Sequence, residues 1–247
     1  MGTFTERFTS AAPTRRKNMP TYSLHTTQPS EAVKHQVATM TGAYTADLHR
    51  YDFAGMVPVN LLLGLYQNLL AWEVMSYLDR IGLRPEAPTE LITAHGVDHS
   101  VIGYVLYLPV PSHPDACGLT YMVVHHQHRG LGIGRTMMEK VIARYPHVEL
   151  TCTPAKVALY QAMGFQIVDS DNTQIVMNTR HHSCEGFVAL QDVSTLYESN
   201  QAQELQMKLV DMHGEGAVFK DRKRLKKHIA EATKKAKAFY QANRKNR

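Results

Sequence analysis

A glycine-rich stretch in the middle of the chain has the residue types and the spacing of an anion-binding site. It runs from Val123-Val124 through His125-His126-Gln127-His128 to Arg129-Gly130-Leu131-Gly132-Ile133-Gly134-Arg135. Strand-like residues precede it and helical periodicity follows, so the first amides of a helix would point at one spot. Glycine lets the backbone approach a ligand closely, and the helix dipole is positive at this end. The stretch therefore predicts a pyrophosphate site.

Other glycine-rich phosphate sites fit this stretch less well. A dinucleotide-binding fold needs a unit of about 30 residues near an early strand and a later acidic partner, whereas this stretch follows a third or fourth strand. A P-loop needs Gly-Lys-Ser/Thr, but here Gly134 is followed by Arg135. A turn that merely connects a strand to a helix is the alternative that the residues leave open.

A second motif follows after one predicted helix and one predicted strand. Residues 158–165 read Ala-Leu-Tyr-Gln-Ala-Met-Gly-Phe, so that Tyr160 is followed by Gly-Phe at the end of a short helix. Arg129, Gly132 and Gly134 match the pattern Arg/Gln-x-x-Gly-x-Gly/Ala. The two motifs together resemble the GNAT superfamily of N-acetyltransferases. The resemblance covers about residues 90–178 well, the helical region from residue 57 less well and the two ends not at all.

The resemblance implies a GNAT-like fold, acetyl-coenzyme A (acetyl-CoA) as co-substrate, and direct transfer of its acetyl group to a primary amine of a protein, peptide or small molecule. It implies that main-chain groups of Met122, Val123 and Val124 pair with the pantetheine arm. The residues that it assigns to the phosphates are Arg129, Gly130, Leu131, Gly132, Ile133, Gly134 and Arg135.

The resemblance also implies that Tyr160 is the catalytic acid. A phenol with a pKa of about 10 can protonate a leaving thiolate. The other interpretation of Tyr160 is a packed helix residue with a solvated hydroxyl. Tyr160 and the complete glycine motif favour an enzyme.

The general base is not assigned by the resemblance. Many relatives carry Glu on the strand before the loop, and Thr120 stands at that position here. His125, His126 and His128 titrate near neutrality and are candidates, although exposed loop histidines are the simpler interpretation. Asp115 or a chain of ordered water molecules could serve instead. Thr120 also favours a competing hypothesis, a GNAT-fold binding or structural protein that has lost catalysis.

The hydrophobic pattern around these motifs predicts an α/β fold, a GNAT-like mixed central sheet flanked by helices. Helical spacing extends over residues 57–81 and stops at Gly82, and further helices are predicted near 137–145 and 155–163. Strands are predicted at 91–94, 101–110, 119–124, 148–152, 165–168 and 174–177.

The chain is expected to have three parts. Residues 1–30 read as an extended or flexible N-terminal arm, 31–180 as the acetyl-CoA-binding N-acetyltransferase domain, and 181–247 as a helical extension. Within the extension, helices are predicted at 187–196, 202–210 and 220–241, with a break at Gly214 and Gly216.

The end of the chain is strongly basic. Residues 219–247 hold twelve Lys or Arg and two acids, net +10, whereas the preceding residues hold fifteen basic and twenty acidic residues, net −5. An apolar stripe at helical spacing, Leu225, Ile229, Ala232, Ala236 and Phe239, runs through it. Such a helix is typical of binding to nucleic acid, to an anionic membrane, or to the acidic body of its own chain or of a partner chain. In the other interpretation, the charged face is solvated and the stripe packs on the helix's own domain.

The composition narrows the class of protein further. Hydrophobic residues make up 44% and charged residues 20%, as in a soluble globular domain. Three widely spaced cysteines, Cys117, Cys152 and Cys184, do not form a disulfide framework and favour a cytoplasmic setting. Cys152 is expected to be a packing thiol, because direct transfer needs no acyl-enzyme. No membrane span or secretory signal is predicted. His181, His182 and Cys184 could be taken for metal ligands, but no second Cys or His pair stands at a matching spacing, so no metal site is predicted. A homo-oligomer remains open.

Overall fold

Seven strands form one mixed sheet in the computed structural model, which describes residues 19–49 and 60–244. The spatial order is β1-β2-β3-β4-β5-β7-β6. Among the described strands, β4 and β5 pair in parallel, and all other neighbouring strands are antiparallel. The strands are β1 Thr21–His25, β2 Glu90–His95, β3 Val101–Val110, β4 His113–Val124, β5 His147–Cys152, β6 Gln166–Asp171 and β7 Gln174–Asn178.

Eight α-helices accompany the sheet within the described ranges. They are α1 Glu31–Ala43, α2 Thr45–Leu48, α3 Leu63–Arg80, α4 Ile133–Arg144, α5 Val157–Gln161, α6 Ser194–Tyr197, α7 Asn200–His213 and α8 Glu215–Arg244. The 3₁₀ turns His126–His128 and Pro154–Lys156 precede α4 and α5 respectively. The predicted mixed sheet flanked by helices, with a helical C-terminal extension, is therefore confirmed.

Helices cover both faces of the sheet. On one face α1 and α3 pack on the sheet through a core that includes Val37, Tyr77 and Tyr104. On the other face α4 packs through Met137 and Val141 on the core that also holds α5. Every residue of β3 is buried, as expected for an apolar strand covered on both sides.

Local signals explain where several helices begin and end. Ser30 is the N-cap of α1, and its side chain accepts a hydrogen bond from the Val33 amide at 3.4 Å. Gly82 follows α3 with φ of 72°, a left-handed conformation that glycine adopts at low cost. The predicted helix over 57–81 is confirmed from Leu63 onward, and residues 57–59 lie outside the described residues.

Helix α8 lies beside the edge strand β6 and joins two parts of the core. Near its start, Val218 and Leu225 pack with Leu62 and with Leu209 of α7. Near its end, Ala236 is fully buried in the core of the α4 face. The helix therefore packs against β6 and β7 and extends the core of the α4 face.

Several sequence-based boundaries differ from the structure. Part of the predicted arm, Thr21–His25, is strand β1, which pairs with β2, and the arm before residue 19 lies outside the described residues. The helix α1 was not identified from the sequence. Gly214 does separate α7 from α8, but Gly216 lies inside α8.

The helix predicted over 187–196 is wrong except for its last residues, which belong to α6. Residues 187–193 cross the sheet face without regular structure. Their backbone groups bond to α3 instead, since the Gln191 amide donates to the Tyr77 hydroxyl at 2.9 Å and Arg80 donates to the Ala189 carbonyl. No helix within the described ranges is long and apolar enough to cross a membrane.

Candidate functional site

The glycine loop, residues 129–134, connects β4 and its following 3₁₀ turn to the start of α4. Gly130 and Gly132 have φ of 78° and 80°, in the left-handed region where a side chain is strained. A Cβ built at either residue would meet no atom within 4 Å. Glycine is therefore required by the backbone conformation, and the space beside the loop is open.

The amides of the glycine loop are available to a ligand. Within the part of the chain that the structure describes, no backbone acceptor receives a hydrogen bond from the amides of residues 130–134. Gly132 is the N-cap of α4, provides no side-chain cap, and the first turn of the helix carries no acid. Unpaired amides at the positive end of a helix bind anions, so this geometry fits a phosphate group.

The side chain of Arg129 points back onto the segment that joins α1 to α2. Its Nη2 lies 3.0 Å from Asp47 Oδ2, its Nε donates to the Val124 carbonyl at 3.1 Å, and its guanidinium carbon lies 5.0 Å from the centre of the Tyr44 ring. The Tyr44 hydroxyl also accepts a hydrogen bond from the His126 amide at 2.6 Å. Tyr44 and Asp47 therefore hold the loop in place from outside.

Strands β4 and β5 pair over only part of their length. Their partners run from Ala116 with His147 to Leu119 with Leu150, whereas β4 continues to Val124. A bulge at Thr120 marks the separation, because its neighbours Leu119 and Tyr121 pair with consecutive residues of β3.

Beyond the bulge, Met122, Val123 and Val124 pair with β3 on one side. On the other side they have no strand partner among the described residues. An extended ligand arm can add to such a free edge through main-chain hydrogen bonds. The glycine loop lies at the end of this edge.

A cavity of about 520 Å³ opens on the α3 side of the same strands. We call it the α3 cavity. Its walls include Glu73 and Tyr77 of α3, Thr120 and Glu149 of β4 and β5, and residues of the irregular segment that follows Cys184. The cavity thus meets the sheet where β4 and β5 separate.

The irregular segment lies close to the sheet because Gly118 leaves room for it. A Cβ at Gly118 would come within 3.2 Å of Val188 Cγ1, closer than ordinary contact. The C-terminal extension therefore supplies one wall of the cavity. From the sequence, residues 181–247 were expected to form a separate helical part.

Tyr160 lies on α5, on the other face of the sheet. It is 7% exposed, and its ring packs edge to face on Phe165 with the ring centres 5.8 Å apart. Burial, with a smaller contribution from Cys152, raises the pKa of the Tyr160 phenol well above its ordinary value. The phenol therefore keeps its proton at neutral pH and can act as a donor.

The histidines after β4 face a different part of the molecule. His125 and His126 line a separate cleft beside α1 and not the α3 cavity. Burial, followed by the charges of His126, His128 and Arg129, lowers the pKa of His125. Asp115 pairs with Arg180 at 2.8 Å and is likewise not part of the cavity wall. The structure does not bring these sequence-based candidates for a base together with Thr120.

Glu73 is a residue of the cavity wall that the sequence analysis missed. Its Oε1 accepts a hydrogen bond of 2.8 Å from the Tyr121 hydroxyl. Glu73 stands four residues after Leu69 and four before Tyr77, both buried, so it interrupts the buried face of α3. A carboxylate at an otherwise apolar position was the signal available in the sequence.

The apolar stripe of the basic helix faces the protein. Leu225 and Ala236 are 5% and 0% exposed, and Phe239 is partly buried against the core. Every Lys and Arg from Lys220 to Arg244 is exposed.

The described residues contain no cluster of three or more His, Cys, Asp or Glu that could hold a metal ion.

A family model described as an acetyltransferase (GNAT) domain matches residues 91–167. The match includes the separating strands, the glycine loop and Tyr160. It confirms the resemblance inferred from the two motifs and indicates acyl transfer as the class of chemistry. None of the curated proteins compared with the chain matches it.

Solved structures with similarity to the chain include three transferases. One is a GNAT family N-acetyltransferase from Escherichia coli in complex with CoA, with 15% identity, a TM-score of 0.43, and coverage of 62% of this chain and 72% of that one. An acyl-CoA N-acyltransferase from Pseudomonas aeruginosa has 15% identity, a TM-score of 0.45, and coverage of 65% and 99%. Nourseothricin acetyltransferase has 22% identity and a TM-score of 0.33; the alignment covers 36% of this chain and 64% of that protein.

Proposed function

We propose that this chain, whose residues 91–167 match a GNAT acetyltransferase domain, is an N-acetyltransferase that moves an acetyl group from acetyl-CoA to a primary amine. The observation that carries the proposal is the separation of β4 from β5 after Leu119 and Leu150. The separation leaves a free strand edge, with the glycine loop at its end and the α3 cavity on one side. A thioester held along this edge would meet an amine that enters from the cavity.

The residues at the site fit the coenzyme. Within the stretch from Arg129 to Arg135, the amides of residues 130–134 would hold the pyrophosphate, and the open space beside Gly130 and Gly132 lets the phosphates approach the backbone. The free edge formed by Met122, Val123 and Val124 would pair with the pantetheine arm. Acetyl-CoA supplies the thioester carbonyl that the amine attacks.

Tyr160 would give its proton to the leaving sulfur. Its raised pKa keeps the phenol protonated, so the proton is available when negative charge develops on the thiolate. Residues that protonate a leaving group typically contribute about 10²- to 10⁴-fold to the rate. The role is inferred from the family motif and supported by the protonation state.

Direct attack is favoured over an acyl-enzyme. Cys152 is 4% exposed, its Sγ lies 3.6 Å from the Met177 sulfur, and burial raises its pKa to about 12. Burial also raises the pKa of Cys117 far above its ordinary value. Because the thiolate is the nucleophile, these thiols are poor candidates for acetylation.

The test combines two measurements on the full chain. Calorimetric titration measures acetyl-CoA binding, and thiol release from acetyl-CoA is followed across a panel of amines that includes peptides with a free N-terminus or a lysine. Binding with amine-dependent thiol release supports the proposal. Binding without release on any amine would support a catalytically inactive GNAT-fold protein instead.

The exposed basic face of α8 favours a second candidate, a contact with nucleic acid. Binding through phosphate contacts should weaken with salt, with a slope of log affinity against log salt of about −0.9 per contact on duplex DNA. A variant with Lys223, Lys226 and Lys234 changed to Gln should lose this salt-sensitive binding while it keeps acetyl-CoA affinity. No binding by the unmodified chain at low salt would reject the second candidate.

A further inference from the structure

Helix α8 presents a basic face to solvent. From Lys220 to Arg244 it holds ten Lys or Arg and two acids, Asp221 and Glu231, for a net charge of +8. All ten cationic side chains are exposed. Asp221 is buried, and one Glu231 carboxylate oxygen lies 3.8 Å from the Lys227 ammonium group. The solvent side of the helix is therefore almost entirely cationic.

Part of this basic face is a straight row of lysines. Because an α-helix has 3.6 residues per turn, residues at spacings of three, four and seven share one side of it. This side of α8 is opposite to the buried Leu225 and Ala236. The row is about 21 Å long at 1.5 Å per residue, and the whole basic face extends about 36 Å. We call the row the lysine line: Lys220, Lys223, Lys227 and Lys234.

The apolar stripe of α8 is already buried within the protein. Leu225 packs with Leu209 of α7, and Ala236 lies in the core of the α4 face. A basic amphipathic helix binds an anionic membrane by burying its apolar side among the lipids, and that side of α8 is occupied. The lysine line also faces solvent instead of the acidic body of its own chain. An external polyanion is therefore the favoured partner.

The basic face lacks the usual features of a protein-binding surface. Interfaces between proteins have an apolar core within a polar rim. Over residues 220–244, all of which the structure describes, α8 exposes no large hydrophobic side chain. Duplex nucleic acid, by contrast, offers a regular array with one negative charge per about 1.7 Å. The length of the basic face, about 36 Å, is close to one turn of B-DNA, about 34 Å.

Helix α8 does not offer a platform for unpaired bases. Proteins that bind single strands stack successive bases on aromatic side chains. Phe239 and Tyr240 instead pack against the core of the α4 face. Phe219 is exposed, but it is a single ring that precedes the lysine line. The surface therefore favours a double helix, in which the bases are already stacked on one another.

The cations of the basic face are suited to phosphates more than to bases. Arg222 donates to Gln206 Oε1 at 3.1 Å, and Arg224 donates to Asp221 Oδ1 at 3.0 Å. Both guanidinium groups are thus engaged within the protein, whereas a free guanidinium reads guanine with two N–H groups. A lysine ammonium contacts phosphate as a point charge. Because phosphates are the same at every base pair, such contacts carry no sequence information.

We propose that the basic face of α8 binds double-helical nucleic acid through its phosphate backbone, without regard to base sequence, and that the lysine line is the contact. The inference rests on the second candidate function, which it deepens by naming the form of nucleic acid, and it is independent of acetyl transfer. Helix α8 packs on β6, β7 and the turn Pro154–Lys156, whereas the glycine loop lies between β4 and α4. The duplex and acetyl-CoA would therefore bind at separate places.

The test is fluorescence anisotropy with the full chain over a salt series. The probes are DNA and RNA duplexes of about 20 base pairs, longer than one helical turn, in two unrelated sequences of each. The two sequences should bind within about twofold of each other. The slope of log affinity against log salt should be about −3.6 for four phosphate contacts on DNA. Binding of either duplex supports the inference, and the tighter one identifies the kind of double helix.

Two double variants locate the contact. Lys223→Gln with Lys234→Gln should weaken duplex binding by about 10- to 100-fold at about 0.1 M salt and make the slope shallower by about 1.8. The matched control, Arg84→Gln with Lys140→Gln, removes two exposed charges from other elements and should change affinity by less than about twofold. Both should retain acetyl-CoA affinity. Gly134→Glu should retain duplex affinity, because the glycine loop is a separate anion site.

Several results would overturn the inference. Equal losses in the two double variants would show general charge attraction without a site. Tighter binding to a single strand of the same length would overturn the double-helical form and keep the second candidate function. Tighter binding to polyglutamate or to phosphatidylserine vesicles would replace nucleic acid by another partner. A preference of about tenfold or more between the two sequences would contradict backbone contact.

The two proposals fail separately. No duplex binding at low salt overturns this inference even if acetyl-CoA is bound and amines are acetylated. Duplex binding without any acetyl transfer supports the inference and rejects the enzyme.

Discussion

The Arg129 guanidinium forms an ion pair with the Asp47 carboxylate, with Nη2 and Oδ2 3.0 Å apart. The sequence motif assigns Arg129 to the phosphates, and its backbone does belong to the glycine loop. Its side chain, however, joins the loop to α2 and lies over the Tyr44 ring. The Arg129 side chain therefore anchors the loop to Tyr44 and Asp47, whereas the loop amides face the open space.

This ion pair predicts a small effect of side-chain removal on coenzyme binding. The Arg129 and Asp47 side chains are 50% and 41% exposed, and exposed pairs contribute about 0.2–1 kcal/mol. Arg129→Ala and Asp47→Asn should each weaken acetyl-CoA binding by about two- to fivefold, and the double variant by no more than either alone. Calorimetric titration provides the measurement. A loss above 100-fold in Arg129→Ala alone would show direct phosphate contact.

Gly134→Glu should abolish acetyl-CoA binding and leave the fold intact. A Cβ at this position meets only Val124 Cγ2, at an ordinary 3.5 Å, so the protein has room for a side chain. A carboxylate beside the loop amides would compete with and repel the phosphates. Gly134→Ala is the matched control and should retain most of the affinity. Unchanged affinity in Gly134→Glu would remove the coenzyme from this loop.

Tyr160→Phe should lower turnover by about 10²- to 10⁴-fold if the phenol is the general acid. The ring remains packed on Phe165, so the variant should unfold at nearly the same temperature. Coenzyme affinity should barely change, because the phenol is not part of the loop. Stopped-flow or steady-state thiol release measures the rate. Normal turnover would leave Tyr160 as a packing residue.

The ionised Glu90 carboxylate is expected to stabilise the fold at neutral pH and to lose this effect in acid. Burial opposes its charge, but hydrogen bonds from Arg144, Tyr107 and Tyr145 outweigh burial and lower its pKa. Because the pKa of Glu90 is lower in the folded protein, its stabilising effect is present at pH values above its pKa in the unfolded chain. The effect is lost as the pH falls through its pKa in the folded protein.

Glu90→Gln should therefore reduce the free energy of unfolding at pH 7 by about 2–3 kcal/mol. That is below the ~3–5 kcal/mol for breaking a buried pair, because the Arg144 side chain is 40% exposed. The difference between the two proteins should shrink as pH falls below the ordinary range of Glu, about 4.3. Urea unfolding over a pH series tests this, and a difference independent of pH would contradict it.

Truncation after Gly216 should destabilise the protein. It removes the buried Leu225 and Ala236 and uncovers β6, along which α8 packs. Burial of a Leu side chain alone accounts for about 1.5–3 kcal/mol. The folded full chain should also protect α8 from protease. The control with Lys223, Lys226 and Lys234 changed to Gln should unfold like the original chain, and a truncation without thermal effect would show that α8 is dispensable for the fold.

Much of the fold could be predicted from local patterns. Alternating or continuous apolar runs gave the positions of β2 to β7, and the motif around the glycines gave the strand-to-helix junction before α4. The helix α1 was missed because Glu31–Ala43 is a weakly patterned segment, in which only five of its residues are buried. The irregular path after Cys184 was also missed, because Tyr77 and Arg80 bond to its backbone from another element.

The sequence by itself determined the class of fold, the anion-binding loop and the candidate acid, because these depend on residues that are neighbours along the chain. Only the tertiary structure decided what surrounds them. It paired Arg129 with Asp47, turned the histidines after β4 away from the α3 cavity, and brought Glu73 to Tyr121 across 48 residues. Contacts between distant segments depend on how helices pack on a sheet. A periodic pattern reports which face of an element is buried but not which residue lies opposite it.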